Sequence, residues 1–134
     1  MMKSPNWLSK ILKEETVTST NDRLAELCQE KEIKEFTTLM AEYQTAGKGQ
    51  RGNSWESEYG KNLTFSTVFY PQTIAPASQF ILSMAVASAI RTALAHYVHA
   101  DCLQIKWPND IYWKDKKIAG ILICLLYTSD AADE

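Results

Sequence analysis

A glycine-rich segment between Glu42 and Trp55 constrains this chain more than any other part of its sequence. Its centre reads, in order, Gly47, Lys48, Gly49, Gln50, Arg51, Gly52. Glycine permits positive φ and lets the backbone approach a ligand closely. The lysine and the arginine place positive charge where an anion held by such a loop requires it. The segment therefore predicts a mobile loop that covers a phosphate-bearing ligand.

The composition is that of a globular protein with a single core. The chain has 134 residues, 46% of them hydrophobic, and a formal net charge of -2, so it has no basic surface that would make nucleic acid its main partner. Polar residues interrupt the most apolar stretch, 80–98, which therefore predicts a buried helix rather than a membrane span. Three widely spaced cysteines and the lack of a signal peptide favour a cytoplasmic location.

Strand and helix signals alternate along the chain and predict a mixed α/β fold. The residues 63–70 alternate with a period of two, which is typical of a strand. Ser19 or Thr20 can cap the first helix, and Asp22 in its first turn is favoured by the helix dipole. Strands are predicted at 16–20, 37–43, 63–70, 103–107, 110–113 and 117–123, and helices at 21–31 and 77–98.

The glycine-rich segment also matches the dinucleotide-binding pattern Gly-x-Gly-x-x-Gly, but its surroundings argue against that fold. Residues 53–62 are polar and cannot form the apolar helix that such a loop opens. No acidic strand end follows about 20 residues later. Taken alone, the segment fits either a loop that covers a ligand or a plain flexible hairpin.

Three further segments carry polar groups at a turn, on a strand or at a helix start. They are Thr-Ser-Thr-Asn-Asp at 18–22, Lys-Trp-Pro-Asn-Asp at 106–110 and Lys-Ile-Ala-Gly-Ile-Leu at 117–122. Each can serve a ligand, and each also has a purely structural explanation. These explanations are a helix cap, a proline turn and a solvated hairpin tip, respectively.

Together and in order, the four segments resemble the signature of the biotin–protein ligases over residues 16–123. The resemblance implies a class II synthetase-like α/β fold, with a mixed, largely antiparallel sheet backed by helices. It also implies that the biotin carboxylate attacks the α-phosphate of ATP, with Mg²⁺ present, and yields biotinyl-5′-AMP and pyrophosphate. A lysine of a biotin carboxyl carrier domain, the expected partner, then takes the biotinyl group.

The resemblance assigns roles residue by residue. Lys117, Lys48 and Arg51 would be catalytic, and no metal ligand is assigned. The implied biotin-binding residues are Ser19, Thr20, Asn21, Gln44, Lys48, Gly49, Gln50 and Lys117. The implied nucleotide-binding residues are Gly47, Arg51, Gly52, Trp55, Asn109 and Asp110. In this chain Lys48 and Gln50 stand where the family usually has arginines, so we expect the adenylate to be held less tightly.

The resemblance also sets expectations about completeness. Family catalytic domains continue past the strand that ends near Ile123, with further strands, a helix and usually a small β-barrel. We therefore expect 1–123 to be a partial catalytic domain whose sheet is incomplete at its C-terminal end. Residues 124–134 resemble a translated sequencing adapter and are expected to be a non-native tail. A polypeptide of this length should have low stability and low activity.

Two other functions fit the same residues. One is a lipoate–protein ligase on the same fold, and the other is a fragment that binds biotin without catalysis. A homodimer is compatible with the resemblance. We expect neither a DNA partner, since the 134 residues contain no helix-turn-helix pattern, nor a membrane partner.

Overall fold

The structure, a computed structural model, describes residues 10–72 and 78–126. The chain divides into two compact units, Met1–Pro71 and Gln72–Glu134, and each is described by itself. The two units together confirm the mixed α/β class that the sequence predicts.

A three-stranded sheet and one helix form the first unit. In the sheet, β1 (Ile11–Val17) pairs with β2 (Thr38–Gln44) in parallel, and β2 pairs with β5 (Thr64–Thr67) in antiparallel orientation. The strands β3 (Gly47–Lys48) and β4 (Ser54–Trp55) form a separate short hairpin. The elements are, in order, β1 (Ile11–Val17), α1 (Thr20–Glu30), β2 (Thr38–Gln44), β3 (Gly47–Lys48), a 3₁₀ turn (Gln50–Gly52), β4 (Ser54–Trp55) and β5 (Thr64–Thr67).

The cap and the apolar face of α1 explain why the helix starts and packs where it does. The side-chain oxygen of Ser19 accepts a hydrogen bond of 2.9 Å from the backbone N–H of Asp22, as the sequence predicts for the cap. Leu24 and Leu27, three residues apart, then face the same side and are buried. The core cluster they join also contains Ile33, Leu39 and Val68.

Two strand predictions in the first unit need correction. The first strand is Ile11–Val17 rather than 16–20, because Ser19 and Thr20 belong to the start of the helix and the charged residues 13–15 hide the strand pattern. The strand predicted at 63–70 is shorter, Thr64–Thr67. After Thr67, the backbone of Val68 forms hydrogen bonds with the backbone of Phe36 and Thr37. These two residues belong to the turn that precedes β2, so the pairing with β2 has already ended.

The second unit consists of a helix on a three-stranded antiparallel sheet, in which β7 (Asp110–Trp113) lies between β6 (Leu103–Lys106) and β8 (Lys116–Gly120). The helix packs against β6 and β7. Near its C-terminal end, the guanidinium of Arg91 donates hydrogen bonds to the backbone oxygens of Leu103 and Ala100. The elements are α2 (Gln79–Leu94), a 3₁₀ turn (Ala100–Cys102), β6 (Leu103–Lys106), β7 (Asp110–Trp113) and β8 (Lys116–Gly120).

The helix of the second unit is shorter and more exposed than the sequence predicts. It ends at Leu94, after which the N–H groups of His96 and Tyr97 bond to carbonyls only three residues back, at Ala93 and Leu94. The predicted start at residue 77 lies outside the described residues. Its side chains Phe80 and Ile81 are 58% and 61% exposed, so the prediction of a buried helix is wrong. Within the described ranges, no helix has both the length and the apolar character needed to cross a membrane.

Candidate functional site: a polar network and a glycine hairpin

Buried polar groups meet where α1 begins in the first unit. The Ser19 and Thr20 side chains are 2% and 4% exposed. The backbone N–H of Thr20 donates a 2.7 Å hydrogen bond to Oε1 of Gln44, at the end of β2. The start of the helix is thereby tied to the strand that leads into the glycine-rich segment, and Ser19, Thr20, Asn21 and Gln44 lie close together as the sequence predicts.

Ser66 completes this network and was missed by the sequence analysis. Its oxygen lies 2.7 Å from Oγ1 of Thr20 and donates a hydrogen bond to Oδ1 of Asn21. Ser66 lies opposite Leu39 in the sheet and is 8% exposed, so it occupies an inward position of an alternating strand. A polar residue at an inward position, in a strand otherwise expected to be apolar on that face, is the signal that could have identified it.

The glycine-rich segment folds as a tight hairpin in which Gly47 has no room for a side chain. A Cβ at Gly47 would lie 2.3 Å from the backbone oxygen of Trp55 and 2.7 Å from Nε2 of Gln44. Trp55 is the pairing partner of Gly47 across β3 and β4. An open cleft of about 460 Å³ adjoins the hairpin, a volume within the range of small-molecule sites. It is lined by Tyr43, Gln44, Thr45, Ala46, Gly47, Ser54, Trp55, Glu56, Ser57 and Glu58.

Positive φ angles shape the turn between the two hairpin strands. Arg51 has φ 55 and ψ 39, and Gly52 has φ 79, both in the left-handed region. The N–H of Gly49 donates a 2.6 Å hydrogen bond to the oxygen of Asn53, which closes the turn. The predicted mobility of the segment stays a prediction, since the structure gives a single hairpin conformation.

Lys48 of the hairpin is paired with a carboxylate at the start of α1. Its Nζ lies 3.0 Å from Oδ2 and 3.1 Å from Oδ1 of Asp22, and both side chains are about half exposed. Such an exposed pair contributes little to stability. The pair holds the Lys48 ammonium beside the polar network. An anionic group of a ligand could replace the Asp22 carboxylate there.

Lys117 and Asp110 meet on one face of the second unit's sheet. Their Nζ and Oδ1 atoms are 2.8 Å apart, with each side chain about one third exposed. A β-bulge between Ile111 and Tyr112 sets Lys117 opposite Tyr112, on the face that also carries Asp110. The motif residues 110 and 117, separate in sequence, are therefore direct neighbours.

Asn109 is buried and fixes the end of β8. Its Nδ2 donates a 3.0 Å hydrogen bond to the backbone oxygen of Ile121, and the backbone N–H of Ile121 donates a 2.9 Å bond to the backbone oxygen of Asn109. The residue is 5% exposed, and within the described residues its Oδ1 is buried without a hydrogen-bond partner. The structure thus gives Asn109 a bracing role next to Asp110, while its assignment to nucleotide binding stays a prediction.

Tyr59 gives a testable pH dependence close to the cleft. Its hydroxyl donates a 2.6 Å hydrogen bond to Glu15, and this bond is the main cause that raises its pKa above the ordinary value of 10.0. The bond stabilises the fold at pH values below the ordinary pKa of 10.0, and this stabilisation is lost as the pH rises through the raised pKa. We expect Glu15→Gln to lower the pKa of Tyr59. An ultraviolet titration measures this pKa, and subtracting the titration of a Tyr59→Phe variant isolates the signal of Tyr59. An unchanged titration in Glu15→Gln would show that Glu15 is not the cause.

The mixed α/β fold is class II synthetase-like, as the resemblance implies and as the similarity to solved structures shows. The chain belongs to the biotin/lipoate A/B protein ligase family, whose sequence profile matches residues 14–132. It is 39% identical over 117 residues to the bifunctional ligase/repressor BirA of Escherichia coli, covering 87% of this chain and 35% of the relative. The chain therefore spans about a third of the length of that relative.

Two solved structures show the same architecture. Biotin protein ligase from Leishmania major in complex with biotinyl-5-AMP gives a TM-score of 0.73 at 29% identity, covering 85% of this chain and 51% of that one. Biotin protein ligase from Aquifex aeolicus in complex with biotin and ATP gives 0.67 at 29% identity, covering 87% and 47%. The family name includes lipoate ligases, whereas these relatives are named as biotin ligases.

Proposed function

We propose that the protein containing this segment activates biotin with ATP and transfers it to a lysine of a biotin carboxyl carrier domain. The observation that carries the proposal is the buried network of Thr20, Gln44 and Ser66 beside the glycine hairpin. Neutral hydrogen-bonding groups of this kind suit the polar ring of biotin, and the related structures contain biotin, ATP or biotinyl-5-AMP. We place the reaction in the cytoplasm.

The reaction brings two anions together, and three cationic side chains are proposed to make this possible. The biotin carboxylate attacks the α-phosphate of ATP, the bond between the α- and β-phosphates breaks, and pyrophosphate leaves. Lys48, Arg51 and Lys117 would neutralise the negative charge that develops at phosphorus. No enzyme nucleophile is required, because positioning and charge stabilisation account for the catalysis.

The remaining proposed roles follow the same division. Ser19, Thr20, Asn21 and Gln44 would hold the biotin ring, with Gly49 and Gln50 of the hairpin over it. Gly47, Gly52 and Trp55 would bind the nucleotide, as would Asn109 and Asp110. Lys48 and Lys117 are each paired with an aspartate, so an incoming carboxylate or phosphate would exchange partners with Asp22 or Asp110.

Mg²⁺ fits this proposal as a companion of the nucleotide. In the ranges 10–72 and 78–126, no three His, Cys, Asp or Glu side chains are grouped to hold a metal ion. Magnesium is commonly bound by one or two carboxylates together with substrate phosphates. Asp110 would be its protein ligand, and the ion would supply charge neutralisation at the phosphates.

Pyrophosphate release with different acids tests the proposed function. The full-length protein is incubated with ATP and either biotin or lipoate, and pyrophosphate and acyl-adenylate are measured. We expect the reaction with biotin but not with lipoate, and we expect a carrier domain to accept the biotinyl group. Release with lipoate instead would favour the lipoate ligase, and biotin binding without any release would favour a non-catalytic binding protein.

Gln50 leads to a prediction about how long the intermediate is retained. Gln50→Arg would add a charge-assisted hydrogen bond to the phosphate, so we expect biotinyl-AMP to dissociate about tenfold more slowly. The measurement is the release rate of labelled biotinyl-AMP from the full-length protein. Gln50→Met, similar in length but uncharged, is the control and should not slow release. No slowing with the arginine would remove residue 50 from the adenylate contacts.

A further inference from the structure

Ser66 links two elements through a single hydroxyl group. It lies on β5 with only 8% of its surface exposed. Its Oγ is 2.7 Å from Oγ1 of Thr20 and donates a hydrogen bond to Oδ1 of Asn21. Both partners belong to the start of α1, so one buried side chain of the sheet controls the hydrogen bonding of two residues on the helix.

The number of protons in this network fixes its direction. A hydroxyl has one proton, and a carboxamide oxygen can only accept. With the side-chain oxygen of Asn21 facing it, Ser66 uses its proton on Asn21, so the proton between Ser66 and Thr20 comes from Thr20. The Thr20 hydroxyl therefore points its proton at Ser66, and only its lone pairs are left to meet a ligand.

The side-chain amide of Gln44 is oriented by Thr20. The backbone N–H of Thr20 donates to Oε1 of Gln44, which sets the Nε2 end of the amide toward Gly47, 2.7 Å from where a Cβ would lie. An amide nitrogen is a donor only. The network thus offers an acceptor at Thr20 and a donor at Gln44.

We propose that Ser66 is a specificity-determining residue that holds Thr20 Oγ1 as an acceptor for a ligand N–H. This inference rests on the proposed function, in which the ligand is biotin. The cyclic urea of biotin has two N–H donors and one carbonyl acceptor, which match an acceptor at Thr20 and a donor at Gln44. A cyclic carbamate has a ring oxygen in place of one N–H. This ring oxygen and Oγ1 of Thr20 would then both be acceptors, so no hydrogen bond could form between them.

Binding of biotin and of its two cyclic carbamate analogues, one for each ring nitrogen, tests the proposal. The unmodified protein should bind the less favoured analogue at least about 10³-fold more weakly than biotin in calorimetry. In Ser66→Ala the Thr20 proton is released and can rotate toward the ring oxygen. We expect the Kd for biotin to rise about three- to tenfold and the preference over that analogue to fall by about tenfold or more.

Variants at Asn21 test the direction of the network independently. Asn21→Asp keeps an oxygen acceptor for Ser66, so the preference for biotin should persist even if both affinities fall. Asn21→Leu removes that acceptor and should reduce the preference, as Ser66→Ala does. These two variants decide the matter if Ser66→Ala does not fold, which thermal unfolding would show.

The outcomes separate this inference from the proposed function. Equal losses for biotin and the analogues in Ser66→Ala would give Ser66 a structural role alone and overturn the inference, as would an unchanged preference in Asn21→Leu. Both results leave the proposed function intact. A failure of the unmodified full-length protein to bind biotin would overturn the proposed function and the inference with it.

Discussion

We expect Lys117→Ala to lower biotin-dependent exchange of pyrophosphate into ATP by about 10²- to 10³-fold, since a fixed donor at a developing negative charge contributes on this scale. The ammonium is already positioned, 2.8 Å from Asp110 on one face of the sheet. Removing it leaves the carboxylate and the phosphate to approach each other against their repulsion. The measurement is the rate of isotope exchange at saturating biotin and ATP with the full-length protein.

Lys116→Ala is the matched control for this prediction. Lys116 is the adjacent residue of β8 but pairs with Trp113, on the opposite face from Asp110. The two variants lose the same charge from the same strand, so net charge and strand propensity are equal between them. We expect normal exchange in Lys116→Ala. Equal rates in both variants would exclude Lys117 from the site.

We expect Gly47→Ala to weaken the proposed biotin binding by about 10- to 100-fold, because overpacking of this kind costs ~1–3 kcal/mol. The added Cβ would lie 2.3 Å from the Trp55 oxygen and 2.7 Å from Nε2 of Gln44. To avoid both contacts, β3 must separate from β4 and the Gln44 amide must move from its contact with Thr20. These movements disturb the proposed biotin contacts. The Kd is measured by calorimetry.

Gly60→Ala separates a loss of stability from a loss of binding. Gly60 has φ +66, so alanine is strained there by ~1 kcal/mol, yet the atom nearest to its added Cβ is Oε2 of Glu42 at 3.6 Å. We expect a lower Tm with an unchanged Kd for biotin. Normal biotin affinity in Gly47→Ala would show that the close approach at residue 47 has no part in the site.

Much of the fold follows from local chemistry in the sequence. The cap at Ser19, the helix behind it and the strand before the glycine hairpin were predicted within one or two residues. The first strand was misplaced because its exposed charges mask the alternation, and parallel pairing with β2 depends on a partner 27 residues away. The exposure of α2 was missed because an apolar sequence does not reveal what covers it.

The candidate site shows a similar limit. The four motifs located every group that we propose for the reaction, because glycine, lysine and proline patterns are local. Ser66 and the pairing of Lys48 with Asp22 depend on contacts across 46 and 26 residues, respectively, which no local pattern reports. The hydrogen bond from the Asn109 side chain to Ile121 is likewise a contact that no local pattern reports, and the assignment of Asn109 to nucleotide binding stays a prediction.

A crystal structure of the full-length protein with biotinyl-5′-AMP tests the central claim most directly. The claim is that the hairpin cations and Lys117 jointly neutralise the acyl phosphate. We predict that Lys48 leaves Asp22, and that Lys48, Arg51 and Lys117 donate hydrogen bonds to the phosphate or the adjoining carbonyl oxygen. A complex in which these three side chains remain far from phosphorus, with Lys48 still paired to Asp22, would contradict the account.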